Sequence, residues 1–385
     1  MKEKVLVGLS GGVDSAIAAY LLKEQGYDVV CAFMRNWDSA ANGDILGNPT
    51  NDDEICPQEK DYQDAVAVAK CLDLPLLRVD FIKEYWDDVF TQFLSEYRKG
   101  RTPNPDILCN KYIKFSSFYE FMKKQGISLI ATGHYARIQK KDGKHYMLKG
   151  LDLNKDQSYF LCQINKDVLQ HTLFPVGEID KPTVRRLAEE LNLPIAKKKD
   201  STGICFIGER NFRQFLQNYL PAKPGNIVDV DTRKVMGQHE GVLYYTIGQR
   251  KGLNIGGEGG PWFVVGKDVE RNELYVAARE DNPWLVSDRC LVSDVNWLID
   301  EIPQGQHECC AKFRYRQKDN PVVIERLENG DVMVTYSQGV AAVTPGQQAV
   351  FYDGDVCIGG GTIEATFYHD VNQHERIREA MHGNR

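Results

Sequence analysis

The sequence contains no long apolar run and no dense set of cysteines. No apolar stretch reaches the length that a transmembrane helix needs, and the start, MKEKVLVGLSGG, lacks the separate apolar core and small-residue cleavage site of a secretory signal. We therefore expect a cytoplasmic protein with no membrane partner. Its 10 cysteines are spread over 385 residues without regular spacing, which argues against a disulfide framework. An important thiol in this chain is more typical of a catalyst than of a structural cross-link.

An excess of positive charge is also lacking. The formal net charge of -7 excludes a wholly basic surface. It does not exclude nucleic-acid binding, because that depends on where Lys and Arg cluster rather than on their sum. With 42% hydrophobic and 26% charged residues, the composition is typical of a globular protein, and 385 residues are too many for one compact core. We expect two or three domains.

The first half of the chain alternates short apolar runs with amphipathic stretches. VVCAFM (29–34), DYQDAVAVAKCLDLP, LLRVDF and LIATGHYA (129–136) follow one another in this way. Strands that alternate with helices are joined by crossovers and run parallel, so the pattern predicts a doubly wound parallel α/β sheet. Ligands of such sheets bind at the carboxyl ends of the strands.

The second half is dominated by short β-type runs such as VLYYTI, WFVVGKD and DVMVTY. These runs predict a small mixed central domain followed by a β-barrel or a sandwich. We place the α/β domain at residues 1–208, the central domain at 209–280 and the C-terminal β domain at 281–370. The polar tail, 371–385, is expected to be frayed.

SGGVDS, residues 10–15, occupies the turn between an apolar strand and a predicted helix, where phosphates bind. It lacks the Lys-Ser/Thr pair of a Walker loop and the third glycine of a Rossmann fingerprint, so another group must balance phosphate charge. Its Ser hydroxyls, paired glycines and helix N–H groups are typical of an anion nest. Asp14 beside an anion implies that Mg²⁺ lies between them. The alternative is a tight turn with Ser15 as helix N-cap, and the loop alone does not decide between the two.

In RTPNPDILCNKYIKF, residues 101–115, Asp106 precedes Cys109 by one helical turn on the same face. A carboxylate and a thiol would then share one small site. The helix N-terminus would favour the thiolate, and Asp106 would move protons. The alternative makes Asp106 an N-cap and Cys109 a buried apolar residue.

A second candidate thiol is Cys205, in the polar loop that follows Lys197, Lys198 and Lys199. Basic neighbours lower the pKa of a thiol, and a loop position lets another protein reach it. The alternative is a buried cysteine beside Phe206. By contrast, the basic residues of EIDKPTVRRLAEELNLP predict only the solvated face of a helix.

Arg314, Tyr315 and Arg316 alternate charge and aromatic character on a predicted strand edge. That alternation suits phosphate pairing and base stacking by a nucleic acid. An ordinary surface strand is the alternative.

SGGVDS, with its strand and helix, resembles the loop of the ATP pyrophosphatase (PP-loop) superfamily, whose members adenylate a substrate oxygen and release pyrophosphate. NPDILCN, ATGHYAR, KDQSYFL, DSTGICFIG, YTIGQRKGL, FRYRQ and TPGQ follow in that order, and the chain resembles the tRNA 2-thiouridylase family over nearly its whole length. This resemblance implies an adenine nucleotide alpha hydrolase-like domain, a central domain and a C-terminal β-barrel that helps hold tRNA. It also implies ATP-dependent 2-thiolation of the wobble uridine with ATP and Mg²⁺, and no tightly bound organic cofactor.

The resemblance assigns roles to individual residues. It implies that Cys205 receives persulfide sulfur, with Cys109 as its catalytic partner and Asp106 as acid or base. The implied ATP contacts are Gly8, Leu9, Ser10, Gly11, Gly12, Val13, Asp14, Ser15, Met34 and Gly133. The implied target-base contacts are Asn104, Pro105 and Asp106, and the implied tRNA contacts are His134, Lys155, Asp156, Gln157, Arg314, Tyr315, Arg316 and Gln347. As bare residues, His134 would be a core histidine and 155–157 a solvated turn.

The implied partners are tRNA of the Lys, Glu and Gln type, a cysteine desulfurase or sulfur relay protein, and a cellular reductant. Either Cys109 attacks a persulfide on Cys205 and frees hydrosulfide, or the persulfide attacks the base and Cys109 resolves the product. Both routes end in a disulfide that must be reduced. Two other hypotheses remain open: another ATP pyrophosphatase, such as one that uses ammonia, and a non-catalytic RNA-binding protein that uses ATP to order its loops.

Overall fold

The computed structural model describes residues 2–46, 48, 57–200, 211–256 and 259–383. Its N-terminal part contains the strands β1 (Lys4–Gly8), β2 (Asp28–Arg35), β3 (Leu76–Asp80), β4 (Leu129–Ala131), β5 (Ala136–Lys141), β6 (Lys144–Lys149) and β7 (Thr172–Leu173). Five of them form a parallel sheet in the order β3-β2-β1-β4-β7. The order confirms the predicted doubly wound α/β sheet, with β1 at its centre.

Both faces of this sheet are buried. Leu6 and Ile130 lie in one apolar cluster, whereas Val7 and Ala131 lie in another. Successive residues of a strand point to opposite faces, so each strand contributes to both clusters. A strand that is covered on both sides reads as a continuous apolar run, which is why these strands were visible in the sequence.

Helices cover the two faces. They are α1 (Val13–Glu24), α2 (Pro57–Cys71), α3 (Ile82–Glu84), α4 (Thr91–Arg98), α5 (Pro105–Cys109), α6 (Phe118–Lys124) and α7 (Lys181–Glu190). The π-helical stretches Tyr85–Phe90 and Asn110–Ser117 join α3 to α4 and α5 to α6. α1, α2 and α7 pack on the face that includes Val7, and α4, α5 and α6 pack on the face that includes Leu6. Short 3₁₀ turns lie at Ser158–Leu161, Lys166–His171, Pro175–Glu178 and Val242–Tyr244.

In the described ranges, no helix has the length and apolar character needed to cross a bilayer.

The central part begins with α8 (Phe212–Gln217) and contains β8 (Gly225–Asp229), β9 (Val235–His239), β10 (Trp262–Asp268) and β11 (Glu273–Ala278). These strands form one sheet in the order β10-β11-β8-β9. The β11–β8 pair is parallel, and the other two pairs are antiparallel. This sheet confirms the predicted small mixed central domain.

The C-terminal part is a closed barrel. Its strands are β12 (Val286–Trp297), β13 (Gln306–Lys312), β14 (Asn320–Arg326), β15 (Val332–Ala341), β16 (Gln348–Asp353) and β17 (Val356–Tyr368). They run in the order β12-β15-β14-β13-β16-β17, and pairing of β12 with β17 closes the ring. Val332, Val334 and Tyr336 alternate with more exposed residues and fill the interior. The barrel predicted from the resemblance is confirmed, and the sandwich is excluded.

The β5–β6 hairpin joins the N-terminal part to the barrel. Leu148 of β6 pairs with Val356 of β17, and the Lys149 N–H donates to Asp355 O at 2.9 Å. The Lys149 side chain, only 6% exposed, is 2.6 Å from Asp319 Oδ2. The barrel sheet therefore includes strands from both ends of the chain.

The tail was predicted to be frayed, and that prediction is wrong. β18 (Val371–Asn372) pairs with β17, and α9 (Gln373–His382) follows with Asn372 as its N-cap. Ile377 is 3% exposed, and the Gln373 amide donates to Trp284 O at 3.0 Å. The Arg376 guanidinium lies 4.1 Å from the centre of the Trp284 ring. Apolar contacts of Ile377 and Met381 and several polar contacts hold the helix, and a polar composition does not reveal them.

Candidate active site

The glycine loop lies between the end of β1 and the start of α1, as predicted. Gly12 is the N-cap of α1, and no side chain caps this helix. Ser15 lies inside the helix, where its hydroxyl donates to Gly12 O at 3.0 Å, so the alternative of Ser15 as N-cap is wrong. The Ser10 N–H donates to Ser15 Oγ at 3.2 Å and closes the loop. A helix start without a side-chain cap suits an anion.

Neighbouring backbone lies very close to this loop. A Cβ on Gly133, just after β4, would be 2.7 Å from both Asp14 C and Ser15 N. Gly11 has a φ of +75°, and a Cβ there would clash with the carbonyl of Asp61 in α2. The loop is therefore held between the end of β4 and α2, and only glycine fits at these two positions.

The Asp14 carboxylate is bound by two groups that the sequence did not predict. Its Oδ1 accepts a hydrogen bond from the Tyr135 hydroxyl at 2.7 Å and lies 2.6 Å from Lys181 Nζ. Burial, and then the charge of Asp14, raise the pKa of Tyr135, so this hydroxyl remains a proton donor. The Asp14 side chain is 32% exposed, which leaves part of the carboxylate accessible.

Lys181 is one of three cations around Asp200. Its Nζ is 2.8 Å from Asp200 Oδ1, and the same carboxylate pairs with Lys155 and Arg185. Burial alone would raise the pKa of the Asp200 carboxyl, but hydrogen bonds from Lys155 and Lys181 outweigh it and hold the pKa well below its usual range. The prediction that the basic residues of EIDKPTVRRL form only a solvated face is therefore wrong. Lys181, at the start of α7, is only 10% exposed, and local sequence could not show this because its partner Asp14 lies far away along the chain.

Lys198 contacts the other end of the glycine loop. Its Nζ donates to Gly11 O at 3.1 Å, to Asp61 at 2.8 Å and to Asp64 at 2.7 Å. Lys198, one of the three lysines predicted to lie beside Cys205, thus pairs with carboxylates of α2. Cys205 itself lies outside the described residues, so its role stays a prediction.

The end of β2 contains a buried amide that sequence reasoning missed. Asn36 is 0% exposed, and neither its Oδ1 nor its Nδ2 has a hydrogen-bond partner in the described part of the chain. Met34, two residues earlier, is 6% exposed, and a Cβ on Gly8 would be 3.2 Å from Met34 Cε. Buried polar groups are normally paired, so an unpaired amide two residues from Met34, an implied ATP contact, fits a site that receives a polar ligand.

These features fit ATP with Mg²⁺. The start of α1 offers N–H groups to phosphates, and the carboxyl end of β2 offers polar groups to a base. The described residues contain no group of three His, Cys, Asp or Glu side chains that could cage a metal ion. Mg²⁺ in nucleotide sites usually takes one or two carboxylates plus phosphate oxygens, and Asp14 fits that use.

The thiol site is built on α5. Asn104 is its N-cap and accepts from the N–H groups of Asp106 at 3.1 Å and Ile107 at 3.4 Å, and Pro105 is the first helical residue. The alternative of Asp106 as N-cap is therefore wrong. Cys109 follows Asp106 by one turn and is 0% exposed.

Cys109 lies in the same buried cluster as Met34 and Phe118. Phe118 in turn approaches the end of β1, since a Cβ on Gly8 would be 3.4 Å from its ring. The structure thus places Cys109 on the same face of the sheet as Met34, an implied ATP contact.

His134 is a core residue in this conformation. It is 9% exposed, its Nδ1 shares a hydrogen bond with Thr132 Oγ1 at 2.7 Å, and its ring packs against Phe115 and Phe174. Burial, and then the charge of Lys114, hold the pKa of His134 well below its usual value. Its contact with tRNA stays a prediction.

The turn at 155–157 is not simply solvated. Asp156 is 4% exposed, and its Oδ2 is 3.1 Å from Lys312 Nζ of the barrel. Gln157 Oε1 accepts from the Tyr135 N–H at 3.0 Å. Lys155 is partly exposed and forms an ion pair with Asp200. The turn therefore links the Asp14 network to the barrel.

Arg314, Tyr315 and Arg316 were predicted on a strand edge, but they lie in the turn between β13 and β14. Phe313 N–H donates to Gln317 Oε1 at 2.8 Å, which closes the turn. Arg316 has a φ of +67°, outside the strand region. A local alternation of charge and aromatic character did not distinguish a strand from this turn.

A cavity of about 420 Å³ lies beside the start of α5, between α4 and the barrel. Asn104, a predicted base contact, lines it together with Arg101 and Glu364. Gln347 donates to Thr102 O at 2.6 Å, close to the same segment. Asn104 and Gln347 are therefore brought to one region.

Three domain families match the chain in succession. Residues 3–209 match the tRNA methyl transferase HUP domain, 213–278 the tRNA methyl transferase PRC-barrel domain, and 287–363 the aminomethyltransferase beta-barrel domain. Two solved structures match about half of the chain. One is a predicted subunit of tRNA methyltransferase from Methanocaldococcus jannaschii, 19% identical with a TM-score of 0.30 over 49% of this chain and 76% of that chain. The other is a 4-thiouridine synthetase in an RNA complex with bound ATP, 14% identical with a TM-score of 0.31 over 51% and 43%. Such scores do not bear on chemistry.

Curated relatives are far more similar. The tRNA-specific 2-thiouridylase MnmA of Mycoplasma capricolum subsp. capricolum is 56% identical over 371 residues, which cover 94% of this chain and 99% of that protein. The proteins of the same name from Lysinibacillus sphaericus and Geobacillus thermodenitrificans are each 52% identical, over 94% of this chain and 95% of their own length. Identity at this level over almost the full length of both chains, in agreement with the motifs and the fold, places this chain in the tRNA-specific 2-thiouridylase family.

Proposed function

We propose that this protein uses ATP to replace the C2 oxygen of the tRNA wobble uridine with sulfur, in the cytoplasm. The observation that carries the proposal is that Cys109 and Met34 pack on the same face of the sheet, which supports a thiol close to the end of β2 where the nucleotide is expected. The identity with the 2-thiouridylases supports tRNA as the substrate. We expect tRNAs of the Lys, Glu and Gln type.

The first step activates the base. The C2 oxygen of uridine is a poor leaving group, so it attacks the α-phosphate of ATP, a new P–O bond forms, and pyrophosphate leaves. The uncapped start of α1 binds the phosphates, and Asp14 would hold Mg²⁺, which supplies charge neutralisation for the departing pyrophosphate. Gly133 keeps the backbone of β4 close enough to form the wall of this site.

The second step transfers sulfur from a persulfide on Cys205. In one route the Cys109 thiolate attacks the Cys205 sulfur, hydrosulfide leaves, and hydrosulfide then displaces AMP from C2. In the other route the persulfide displaces AMP directly, and Cys109 then releases the thiolated base. Both routes end with a Cys109–Cys205 disulfide, which a cellular reductant opens with two electrons. Asp106, one turn before Cys109, moves the protons.

Access to the thiol requires a second conformation. Cys109 is 0% exposed, so a base cannot reach it in the conformation described. Residues that cover it must move when tRNA binds, as loops do in many enzymes that assemble their site on substrate binding.

One predicted tRNA contact, Tyr315, lies close to the residue that follows Cys109. The Tyr315 ring lies 4.4 Å from that of Phe160, and the Asn110 side chain, next to Cys109, donates to Phe160 O at 2.9 Å. Arg316 is an exposed cation of the connection between β13 and β14. We propose that the anticodon stem-loop lies across this region, with phosphates near Arg316.

The test is mass spectrometry of nucleosides from unmodified tRNA incubated with the protein, ATP, Mg²⁺, cysteine, a cysteine desulfurase and a thiol reductant. We expect 2-thiouridine with the wild type and with Cys71→Ser, an exposed cysteine of α2 that serves as a matched control. Neither Cys109→Ser nor Cys205→Ser should form it. Thiolation by the double variant would support an ATP pyrophosphatase that has no use for these thiols.

Two further outcomes separate the remaining hypotheses. A protein that binds tRNA and ATP without producing AMP and pyrophosphate would be a non-catalytic binder. If inorganic sulfide restores 2-thiouridine to Cys205→Ser, sulfur passes through hydrosulfide; if it does not, direct attack by the persulfide is favoured.

A further inference from the structure

We propose that Lys181 provides the positive charge that contacts the phosphates of the bound nucleotide. The inference rests on the proposed function and extends it by naming a residue outside the glycine loop. SGGVDS contains no cation of its own, yet a triphosphate requires one. Lys181 arrives from the start of α7 and lies 2.6 Å from Asp14 Oδ1, in the first turn of α1.

The Lys181 ammonium has one N–H left for a ligand. A lysine has three N–H donors, and the contacts of Lys181 in the described structure account for two of them, Asp14 and Asp200. Lys198, the other lysine at the loop, has three acceptors in Gly11 O, Asp61 and Asp64, so all its donors are used. This difference assigns the phosphate contact to Lys181 rather than to Lys198.

Lys181 can also shift toward a phosphate without leaving a bare carboxylate. Asp200 would keep its pairs with Lys155 and Arg185, and Asp14 would keep the hydroxyl of Tyr135. The lysine is therefore not the sole partner of either carboxylate.

The position of Lys181 is fixed by its surroundings. Its own N–H donates to Asp152 Oδ2 at 3.1 Å, and its side chain is only 10% exposed. A charge that is held in place and largely shielded from water acts more strongly on a phosphate than an exposed one. As pyrophosphate leaves, negative charge grows on its oxygens, and the Lys181 ammonium would stabilise it.

The test compares Lys181→Met, Lys181→Arg and Arg186→Met, a control on the same helix whose side chain is 62% exposed. Equilibrium dialysis measures ATP and AMP affinity with Mg²⁺, and rapid quench measures pyrophosphate release with tRNA. We expect Lys181→Met to weaken ATP binding at least tenfold, to change AMP binding less than twofold, and to slow pyrophosphate release. Lys181→Arg should recover part of each loss, and the control should match the wild type.

A second variant separates attraction by Lys181 from repulsion by the carboxylates it leaves. In Lys181→Met with Asp200→Asn, one of those carboxylates is neutral. If ATP affinity then returns to the wild-type value, repulsion caused the loss and the proposal is wrong. A drop in melting temperature with ATP and AMP affinities unchanged would show a purely structural ion pair and would also overturn it.

Failure of this inference is distinct from failure of the proposed function. Thiolation by the wild type with equal pyrophosphate release from Lys181→Met would refute only the role of Lys181. Absence of 2-thiouridine from the wild type, with the ATP-specific loss still present in Lys181→Met, would refute only the thiolation.

Discussion

Gly133 has little room at the nucleotide site, because its backbone lies against the first turn of α1. In Gly133→Ala the new methyl group would lie 2.7 Å from Asp14 C and Ser15 N, so the helix start must shift. We expect a loss of about 1–3 kcal/mol in the free energy of unfolding, together with weaker ATP binding. Denaturant unfolding and equilibrium dialysis measure the two effects. Gly237→Ala in β9, where a Cβ meets nothing within 4 Å, is the control and should bind ATP normally.

Lys267 in β10 gives the stability of the protein a distinct pH dependence. Its Nζ is buried and donates to Tyr245 O at 2.7 Å, and burial lowers the pKa of Lys267 from 10.5 to about 7. Between these two values the unfolded chain binds more protons at this group than the folded chain, so its contribution to stability rises with pH.

Comparing wild type with Lys267→Met isolates this contribution. From about pH 7 to about pH 10, the difference in unfolding free energy, wild type minus variant, should rise by at most about 1.4 kcal/mol per pH unit. Urea unfolding at a series of pH values measures it, with the exposed Lys123→Met as a control that should give a flat difference. A flat difference for Lys267→Met as well would show that the buried amine does not titrate in this range.

Single site residues could be predicted from the sequence only where a few consecutive residues carried the pattern. Asp106 was singled out because a proline-led helix start is visible in a few consecutive residues, whereas Asn104 came only from the family resemblance. The pairing of Asp14 with Lys181 was not, because the two residues lie 167 positions apart and each has an ordinary local context. Asn36 gave no signal either, since an unpaired amide can be recognised only when its surroundings are known.

Among the elements, α9 has Ile377 as its most buried apolar side chain. Ile377 is 3% exposed and packs against the central sheet at Gly266. We expect Ile377→Ala to remove most of the hydrogen-exchange protection of 373–382 and to lower the free energy of unfolding by about 2 kcal/mol or more. Hydrogen exchange with mass spectrometry checks the first effect. Glu379→Ala, on the exposed side of the same helix, should leave the protection unchanged; equal losses in both variants would show that Ile377 does not anchor the helix.

At the level of elements, the sequence predicted regular structure better than connections. The strands of the first sheet are covered on both faces, so their apolar runs marked them clearly. The turn at 314–316 was mistaken for a strand because the interaction that closes it, from Phe313 to Gln317, involves a side chain rather than a periodic pattern. The family resemblance, not the periodicity, distinguished a barrel from a sandwich.

In the molecule as a whole, Arg101 joins the N-terminal part to the barrel. Its guanidinium forms an ion pair with Glu364 of β17, and the side chains are 25% and 29% exposed. Burial alone would raise the pKa of Glu364, but hydrogen bonds from Arg101 and Ser293 lower it. This contribution to stability is therefore present above about pH 4.5 and is lost as the pH falls below that value.

Arg101→Met removes that link and leaves the carboxylate without its cation. We expect a loss of about 1–3 kcal/mol at neutral pH, smaller than for a fully buried pair because both side chains are partly solvated. Calorimetry should show the barrel and the N-terminal part melting less cooperatively. Lys123→Ala, from an exposed pair with Glu120, is the control and should change little. An unchanged melting profile for Arg101→Met would show that this ion pair does not couple the two parts.

The β5–β6 hairpin has a consequence for synthesis of the chain. A ribosome that has completed residue 200 has made every strand of the first sheet, but the barrel strand that pairs with β6 begins only at Val356. Until that strand emerges, part of the β6 edge is open to pairing with another chain. Nascent chains and truncation products that stop before Val356 should therefore require chaperone protection that the finished protein does not.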